Sequence, residues 1–290
     1  MMMIVLVLML VLGAALGAYF WIRSHGRREI PKTTSDVSRY AMNVGAVDAS
    51  LQLLTGAKLD TLLDEIAASG YQRVIRLPFG EDWGESILGA WSASIRSRGF
   101  KILPILAHGA HELTLDVART ETWIRQALPV MRDLLVGVQI VNEQWIAAGR
   151  NNHRFEPIPF VAWHNRLAAV VREVTPNVPI VVGDFFTTAR NEHSVEYDGF
   201  AWWQQVVAAG ISHVDVISLH VYEADEGRAL DQYRLILTTF GAAAEYWITE
   251  CDRVGHLDVG LRAGLHIPRC FLYSWNNPDG FALRPDGPIP

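Results

Sequence analysis

Two short apolar runs decide the fold of this chain, and they read GVQIVNE at residues 137–143 and YWITE at residues 246–250. Each run ends in a glutamate, Glu143 in the first and Glu250 in the second. Near-continuous apolar character over so few residues is typical of parallel strands that are buried on both faces. In a (β/α)8 barrel the C-terminal tips of the strands line the active site. The two glutamates are therefore expected to face one pocket.

Similar runs recur along the rest of the chain. The predicted strands are residues 40–47, 73–77, 101–106, 137–141, 180–183, 214–219, 246–249 and 270–273. Helical periodicity between them predicts helices at 58–69, 85–98, 116–135, 159–174, 198–209, 226–244 and 253–265. Pro129 should kink or break the third helix. Strict alternation of eight strands with helices predicts a closed (β/α)8 TIM barrel over residues 39–290.

Composition agrees with one large domain. The chain has 290 residues, 50% hydrophobic and 19% charged, and a net charge of -6. The part after residue 38 is close to the roughly 250 residues of one barrel. No basic surface is indicated, so nucleic acid is not an expected partner. Cys251 and Cys270 flank the last two predicted strands. Two free, partly buried thiols are expected, and a disulfide, which would require an oxidising compartment, is the alternative.

Polar and aromatic residues mark the other predicted strand tips. They are Arg76 on strand 2, His108 after strand 3, Asn142 before Glu143, Trp145 just beyond it, His220 and Tyr222 at strand 6, and Trp275 after strand 8. Cleavage of a glycosidic bond requires one carboxyl group to protonate the leaving oxygen and a second, ionised one at the anomeric carbon. Arg76 beside one carboxylate would lower its pKa, and Tyr222 would orient the same group by a hydrogen bond.

The remaining residues of the set suit sugar binding. Asn142 is placed to bind a sugar hydroxyl, and Trp275 offers a flat face to a pyranose ring. His108 and His220 are expected to bind hydroxyls or to contact the glutamates. For Trp145, as for Phe79 and Trp83, a sugar subsite and plain loop packing both stay open.

The ordered set at the strand tips resembles clan A glycoside hydrolases, and the cellulase-like family 5 most. The resemblance extends over residues 38–277. It implies that Glu143 is the acid/base, that Glu250 is the nucleophile, and that the reaction retains anomeric configuration without a metal or cofactor. The sequence departs from the family pattern at Gly109, which follows His108 where the family often has Asn.

The predicted function is cleavage of a β-linked oligo- or polysaccharide by a monomeric retaining glycosidase. A transglycosylase with the same residues is one alternative, and a non-catalytic carbohydrate-binding barrel is another. Arg76 could instead be a purely structural ion-pair partner. His220 and Tyr222 could instead cap the core of the barrel. Asp184, at the tip of strand 5, is either a substrate ligand or a helix N-cap. A metal at His108 and His111 is rejected because supporting ligands other than Asp48 are absent.

The first 22 residues predict attachment to a membrane. They contain no ionisable side chain except Tyr19, and about 20 such residues span a bilayer as a helix. A single-pass anchor followed by a linker at 23–38 is predicted, and a cleaved signal peptide, giving a secreted protein, is the alternative. Basic residues after the apolar run favour a cytoplasmic barrel, whereas a glycan substrate favours the extracytoplasmic side, which is the side we expect.

Overall fold

The computed structural model describes residues 37–45, 53–79, 83–108, 117–142, 156–186, 199–222, 225–241, 244–251 and 255–273. These residues form a closed barrel of eight parallel strands, each paired with its neighbours in chain order. The strands are β1 (Ala41–Asn43), β2 (Val74–Pro78), β3 (Lys101–His108), β4 (Val138–Asn142), β5 (Ile180–Phe186), β6 (Val216–Val221), β7 (Glu245–Cys251) and β8 (His266–Leu272). Pairing of β1 with β8 closes the barrel, which confirms the predicted fold class.

One α-helix lies between each pair of consecutive strands, as the alternation predicted. They are α1 (Gly56–Ala68), α2 (Glu85–Ser97), α3 (Val117–Val130), α4 (Pro157–Val174), α5 (Gly199–Ala208), α6 (Glu226–Phe240) and α7 (His256–Arg262). In α1, Leu59, Leu62, Leu63 and Ile66 are buried at spacings of three and four residues, so one face of the helix packs on the barrel.

Several predicted boundaries move for local reasons. The third helix ends one residue after Pro129 and continues as a short 3-10 turn at Arg132–Leu134, which confirms the predicted break. The sixth ends at Phe240 rather than at residue 244, because Gly241 has φ 86 and leaves the helical conformation. Strand β8 begins at His266 instead of residue 270. Exposed His266 and the Pro268 that follows it concealed its first half from the pattern.

The barrel interior has two layers. An apolar layer is formed by one inward residue from each of seven strands: Ala41, Val74, Leu103, Val181, Val216, Trp247 and Phe271. Side chains alternate across a strand, so the residues two positions later point inward as well. On β1, β2 and β6 those residues are Asn43, Arg76 and Ser218, all buried. A polar layer therefore lies directly above the apolar layer, toward the C-terminal ends of the strands.

Two other predictions concern buried side chains. Trp202 and Trp203 are buried on α5 and pack around Phe160, so their predicted packing role is confirmed. The Sγ atoms of Cys251 and Cys270 lie 3.6 Å apart without a bond, and both residues are fully buried. The two cysteines are free, as expected.

No helix in the described part of the chain combines the length and the apolar character needed to cross a bilayer. Residues 1–22, for which an anchor is predicted, and the linker after them up to residue 36 lie outside the described residues.

Candidate active site

Arg76 is the centre of the polar layer. Its guanidinium is 1% exposed and donates four hydrogen bonds to side chains on three other strands. Nη1 donates to Oδ1 of Asn43 at 2.7 Å and to Oε1 of Glu250 at 2.6 Å. Nε donates to Oε1 of Gln139 at 2.8 Å, and Nη2 donates to Oδ1 of Asn142 at 2.5 Å. A buried charge is tolerated only with such complete pairing. These residues, together with Tyr222, are called the Arg76 cluster below.

Glu250 is bound through both of its carboxylate oxygens. Oε1 pairs with Arg76, and Oε2 accepts a hydrogen bond of 2.5 Å from the hydroxyl of Tyr222. Nδ1 of His220 lies 3.6 Å from the same Oε2. The carboxylate comes from β7 while Arg76 comes from β2, so the contact crosses the barrel interior. Two donors on different oxygens fix the plane of the carboxylate.

The surroundings of Glu250 keep it ionised. Its burial acts to raise the pKa, but His220, Arg76 and the hydrogen bond from Tyr222 act in the opposite direction, and the net effect lowers the pKa of Glu250. Opposite charges and donated hydrogen bonds favour the charged form of a carboxyl group. An anionic oxygen at the C-terminal end of β7 is thus available for chemistry near neutral pH.

Behind Glu250 lies a second buried carboxylate, that of Asp184 on β5. Nε2 of Gln139 donates to both of its oxygens, at 2.9 and 2.7 Å, and the hydroxyl of Ser218 donates to Oδ1 at 2.5 Å. Nε2 of His220 lies 3.2 Å from Oδ1. Burial opposes ionisation, but His220, Arg76 and Ser218 together lower the pKa of Asp184 to about 2.

Irregular strand register places both carboxylates in this layer. The pairing of β5 with β6 shifts between Val182 and Phe185, and within that shift Asp184 has φ 54. The pairing of β7 with its neighbours shifts near Ile248 and Leu219. An extra residue in a strand changes the direction of the side chains beside it. As a result, Thr249 and Glu250, which are consecutive, both contact the polar layer.

The structure brings together five of the residues that the sequence singled out: Arg76, Asn142, His220, Tyr222 and Glu250. His108 is the last residue of β3 and is paired in register with Asn142, but its side chain is outside the described set. Glu143, Trp145 and Trp275 also lie outside the described residues, as do Asp48 and His111.

Four residues of the site were not anticipated from the sequence: Asn43, Gln139, Ser218 and Thr249. Gln139 left a usable signal, because it is a polar side chain inside an otherwise apolar run. Asp184 had been expected to be either a substrate ligand or an N-cap. It is fully buried, and Gln139 and Ser218 occupy its carboxylate.

The aromatic residues after β2 pack inward. Phe79 and Trp83 are buried, with ring centroids 4.9 Å apart at a steep interplanar angle, and both contact Trp91 of α2. Of the two roles left open for them, this geometry matches loop packing. Among the described residues, no group of three or more His, Cys, Asp or Glu side chains is arranged to bind a metal ion.

Comparison with known proteins gives a likeness of fold. No protein-family model and no curated protein sequence matches this chain. The barrel is similar to solved structures of glycoside hydrolases. An endo-1,4-β-mannanase from Rhizomucor miehei has a TM-score of 0.58 at 12% identity, over 81% of this chain and 86% of its own.

Two further structures extend the likeness. A β-glucosidase from Thermotoga maritima has a TM-score of 0.53 at 12% identity, over 76% of this chain and 77% of its own. The catalytic domain of the major endoglucanase from Xanthomonas campestris has a TM-score of 0.50 at 16% identity, over 83% and 90%. The structural neighbours thus fall among clan A glycoside hydrolases. At these identities the shared property is the TIM-barrel fold.

Proposed function

We propose that this protein is a retaining glycoside hydrolase that cleaves a β-linked glycan, with Glu250 as its nucleophile. The observation that carries the proposal is the state of Glu250. Its carboxylate is fixed by Arg76 and Tyr222 through different oxygens, and its pKa is lowered. It lies at the C-terminal end of a strand, where TIM-barrel enzymes have their active sites.

Glu143 is proposed as the acid/base because of its place in the chain. It directly follows Asn142, the last residue of β4, and Asn142 accepts a hydrogen bond from the guanidinium that pairs with Glu250. In the first step a Glu250 oxygen attacks the anomeric carbon while Glu143 gives its proton to the departing glycosidic oxygen. In the second step Glu143 removes a proton from water, the water oxygen attacks the same carbon, and Glu250 leaves as a carboxylate.

The charges around Glu250 suit a nucleophile that is ionised, as distinct from an acid that is protonated. A nucleophilic carboxylate has to be ionised before substrate arrives, whereas the acid must still hold its proton. Arg76, His220 and Tyr222 all favour the charged form of Glu250. The substrate class is taken from the neighbours in fold, which include an endo-1,4-β-mannanase and a β-glucosidase, both named for β-linked sugars.

Trapping of the intermediate tests the assignment. A panel of dinitrophenyl β-glycosides of glucose, mannose, xylose and galactose identifies a reactive sugar, and the fluorosugar analogue of that sugar is then added. Mass spectrometry should show one covalently bound glycosyl unit on the peptide that carries Glu250. Glu250→Ala should lose turnover and recover it with azide, yielding a glycosyl azide of inverted, α configuration.

Glu143→Gln is the companion variant. On dinitrophenyl glycosides, whose leaving group departs without protonation, it should keep kcat/KM but lower kcat, because the base of the second step is missing. On unactivated β-linked oligosaccharides it should lose activity. Glu173→Ala, an exposed glutamate of α4 paired with Arg125, is the control and should behave as the wild type. Labelling of a different carboxylate, or wild-type rates in both active-site variants, would defeat the assignment. Product analysis at high acceptor concentration separates hydrolysis from transglycosylation.

We further propose that residues 1–22 anchor the protein in a membrane with the barrel on the extracytoplasmic side. The proposal is supported by the uncharged apolar run for the anchor and by the proposed glycan substrate for the side of the membrane. Membrane fractions of cells expressing the full chain should contain the protein, and external protease should digest the barrel in spheroplasts. Protection of the barrel until lysis would place it on the cytoplasmic side.

A further inference from the structure

Among the described residues, two carboxylates with lowered pKa and one guanidinium lie together in the polar layer of the barrel. Asp184, Glu250 and Arg76 are all buried. Arg76 pairs directly with Glu250 and is connected to Asp184 through Gln139. With both carboxylates charged, this set carries a net charge of minus one. An uncompensated buried charge is strongly destabilising, so a second cation is expected within the same set.

Gln139, Ser218 and Thr249 all donate hydrogen bonds to the carboxylate of Asp184. Gln139 is bound to Arg76 through its oxygen, because a guanidinium has no acceptor, and this leaves the Nε2 hydrogens of Gln139 for Asp184. Ser218 accepts from the backbone N–H of Asp184 at 2.7 Å, so its own hydroxyl hydrogen is free to donate to Oδ1. Donors on both oxygens select the ionised form of Asp184.

His220 is the residue positioned between the two carboxylates. It is fully buried on β6, with Nε2 3.2 Å from Oδ1 of Asp184 and Nδ1 3.6 Å from Oε2 of Glu250. A neutral imidazole has one nitrogen that bears a lone pair and no hydrogen. In either tautomer that lone pair would face a carboxylate oxygen. At these distances both contacts are electrostatic, and only the imidazolium form places positive charge, with a hydrogen on each ring nitrogen, beside both anions.

We propose that Asp184 is a positioning residue that holds His220 as an imidazolium beside Glu250, so that the two buried carboxylates are balanced by Arg76 and His220. In this arrangement Glu250 is flanked by two cations from opposite sides of its carboxylate. The charged and titratable groups that face His220 are Arg76 from β2, Asp184 from β5, Tyr222 just after β6 and Glu250 from β7.

The role of this arrangement in catalysis rests on the proposed function. When Glu250 bonds to the anomeric carbon, its negative charge is lost, and when the glycosyl-enzyme is hydrolysed, the charge returns. The imidazolium stabilises the carboxylate that leaves in the second step. Asp184 acts through His220, since its oxygens are taken by Gln139 and Ser218 and it is fully buried.

The backbone of Asp184 makes one variant especially informative. Its φ of 54 lies in the left-handed region, which Asp and Asn adopt more readily than other non-glycine residues. Asp184→Asn therefore removes the charge while keeping the shape and the backbone conformation. Ser218→Ala is the matched control, because it removes one hydrogen bond from Asp184 and leaves the carboxylate charge in place.

The direct test is nitrogen NMR of the histidine rings in the full chain at pH 7. The chain has 10 histidines, and the His220 signals are assigned as those missing from His220→Asn. In the wild type and in Ser218→Ala, both ring nitrogens of His220 should carry hydrogen. In Asp184→Asn, His220 should become neutral. A neutral His220 in the wild type overturns the proposal.

Kinetics supply the second measurement. An opposite charge within about 4–6 Å is worth roughly 1–3 pKa units. Asp184→Asn should therefore lower kcat on the best dinitrophenyl glycoside by about tenfold or more, and Ser218→Ala should lower it less. The loss should be largest for fast leaving groups, for which hydrolysis of the glycosyl-enzyme limits kcat. An imidazolium in an inactive protein would refute the proposed function alone, and full activity with a neutral His220 would refute this inference alone.

Discussion

Arg76 and Glu250 form a buried ion pair across the barrel, with Nη1 and Oε1 2.6 Å apart, although 174 positions separate them in the chain. Water cannot replace either partner of this pair, since the two side chains are only 1% and 7% exposed. The pair therefore links the stability of the barrel to the ionisation of the proposed nucleophile. Four predictions test this link and other buried groups.

Arg76→Met should destabilise the protein and shift its pH dependence. Loss of the guanidinium leaves Glu250 buried without its closest cation, which costs about 3–5 kcal/mol of unfolding free energy. The pKa of Glu250, lowered in the wild type, should rise. Ionised Glu250 contributes stability above the pKa of an unfolded glutamate, and that contribution is lost as the pH falls through the folded value. The acid limb of kcat/KM should therefore move to higher pH.

The control for Arg76→Met is Arg96→Met. Arg96 pairs with Asp133 at 2.7 Å, but both side chains are about half exposed, so its loss should destabilise the protein far less than the loss of Arg76. Urea unfolding and a pH–rate profile measure the two effects. An acid limb that stays in place in Arg76→Met would show that Arg76 does not control the ionisation of Glu250.

Tyr222→Phe should impair catalysis more than folding. The variant removes the hydroxyl that donates to Oε2 of Glu250 at 2.5 Å and keeps the ring, which packs edge-to-face against Tyr273. A hydrogen bond to a charged group is worth about 1.5–3 kcal/mol, so kcat/KM should fall by roughly tenfold or more. Steady-state kinetics and thermal unfolding are the measurements.

Tyr246→Phe is the matched control for Tyr222→Phe. Its hydroxyl donates to the backbone oxygen of Gly241 at 2.7 Å, at the N-terminal part of β7 and away from the Arg76 cluster. This variant should lose about 1 kcal/mol of stability and keep the wild-type kcat/KM. If the two variants lose activity equally, the hydrogen bond to Glu250 has no special role.

His164 should make the protein less stable in mild acid. It is buried on α4, its Nε2 contacts the backbone oxygen of Ser212 at 3.1 Å, and burial lowers its pKa to about 4. Its Nδ1 has no hydrogen-bond partner in the described part of the chain, so protonation there would bury an unpaired cation. The neutral ring stabilises the fold above the unfolded pKa, and this contribution disappears as the pH falls from about 6.5 toward 4.

The contribution of His164 over that pH interval amounts to roughly 3 kcal/mol at most. His164→Gln retains a nitrogen donor for Ser212 and does not titrate, so its unfolding free energy should depend less on pH between 7 and about 4. Urea titrations of both proteins at several pH values measure the difference. Parallel pH dependences in the two proteins would contradict the assignment.

The two cysteines should be unreactive in the folded protein. Both are fully buried, and burial raises the pKa of Cys270 well above its usual range. Since the thiolate is the reactive form, a thiol reagent should label neither residue in native protein and both after unfolding in the absence of reductant. Cys251→Ala should then expose a single thiol. No label after unfolding would reveal a disulfide.

The sequence by itself determined the architecture. Eight apolar runs alternate with helical periodicity, and local hydrophobic patterning is enough to predict a parallel barrel because each strand is buried on both faces. The same reasoning found Arg76, Asn142, His220, Tyr222 and Glu250, since residues at strand tips converge in this fold whatever their separation in the chain. The hydrophobic pattern predicted only the second half of β8, because polar residues interrupt it in the first half.

Only the tertiary structure decided which polar residues support Glu250. Asn43, Gln139, Ser218 and Thr249 lie within strands, and their inward direction depends on how each strand is aligned with its neighbours. The register shifts at Asp184 and beside Glu250 arise from pairing between strands that are distant in sequence, so no local pattern encodes them. The charge balance at Asp184, His220 and Glu250 follows from burial, which the chain acquires only when the barrel closes.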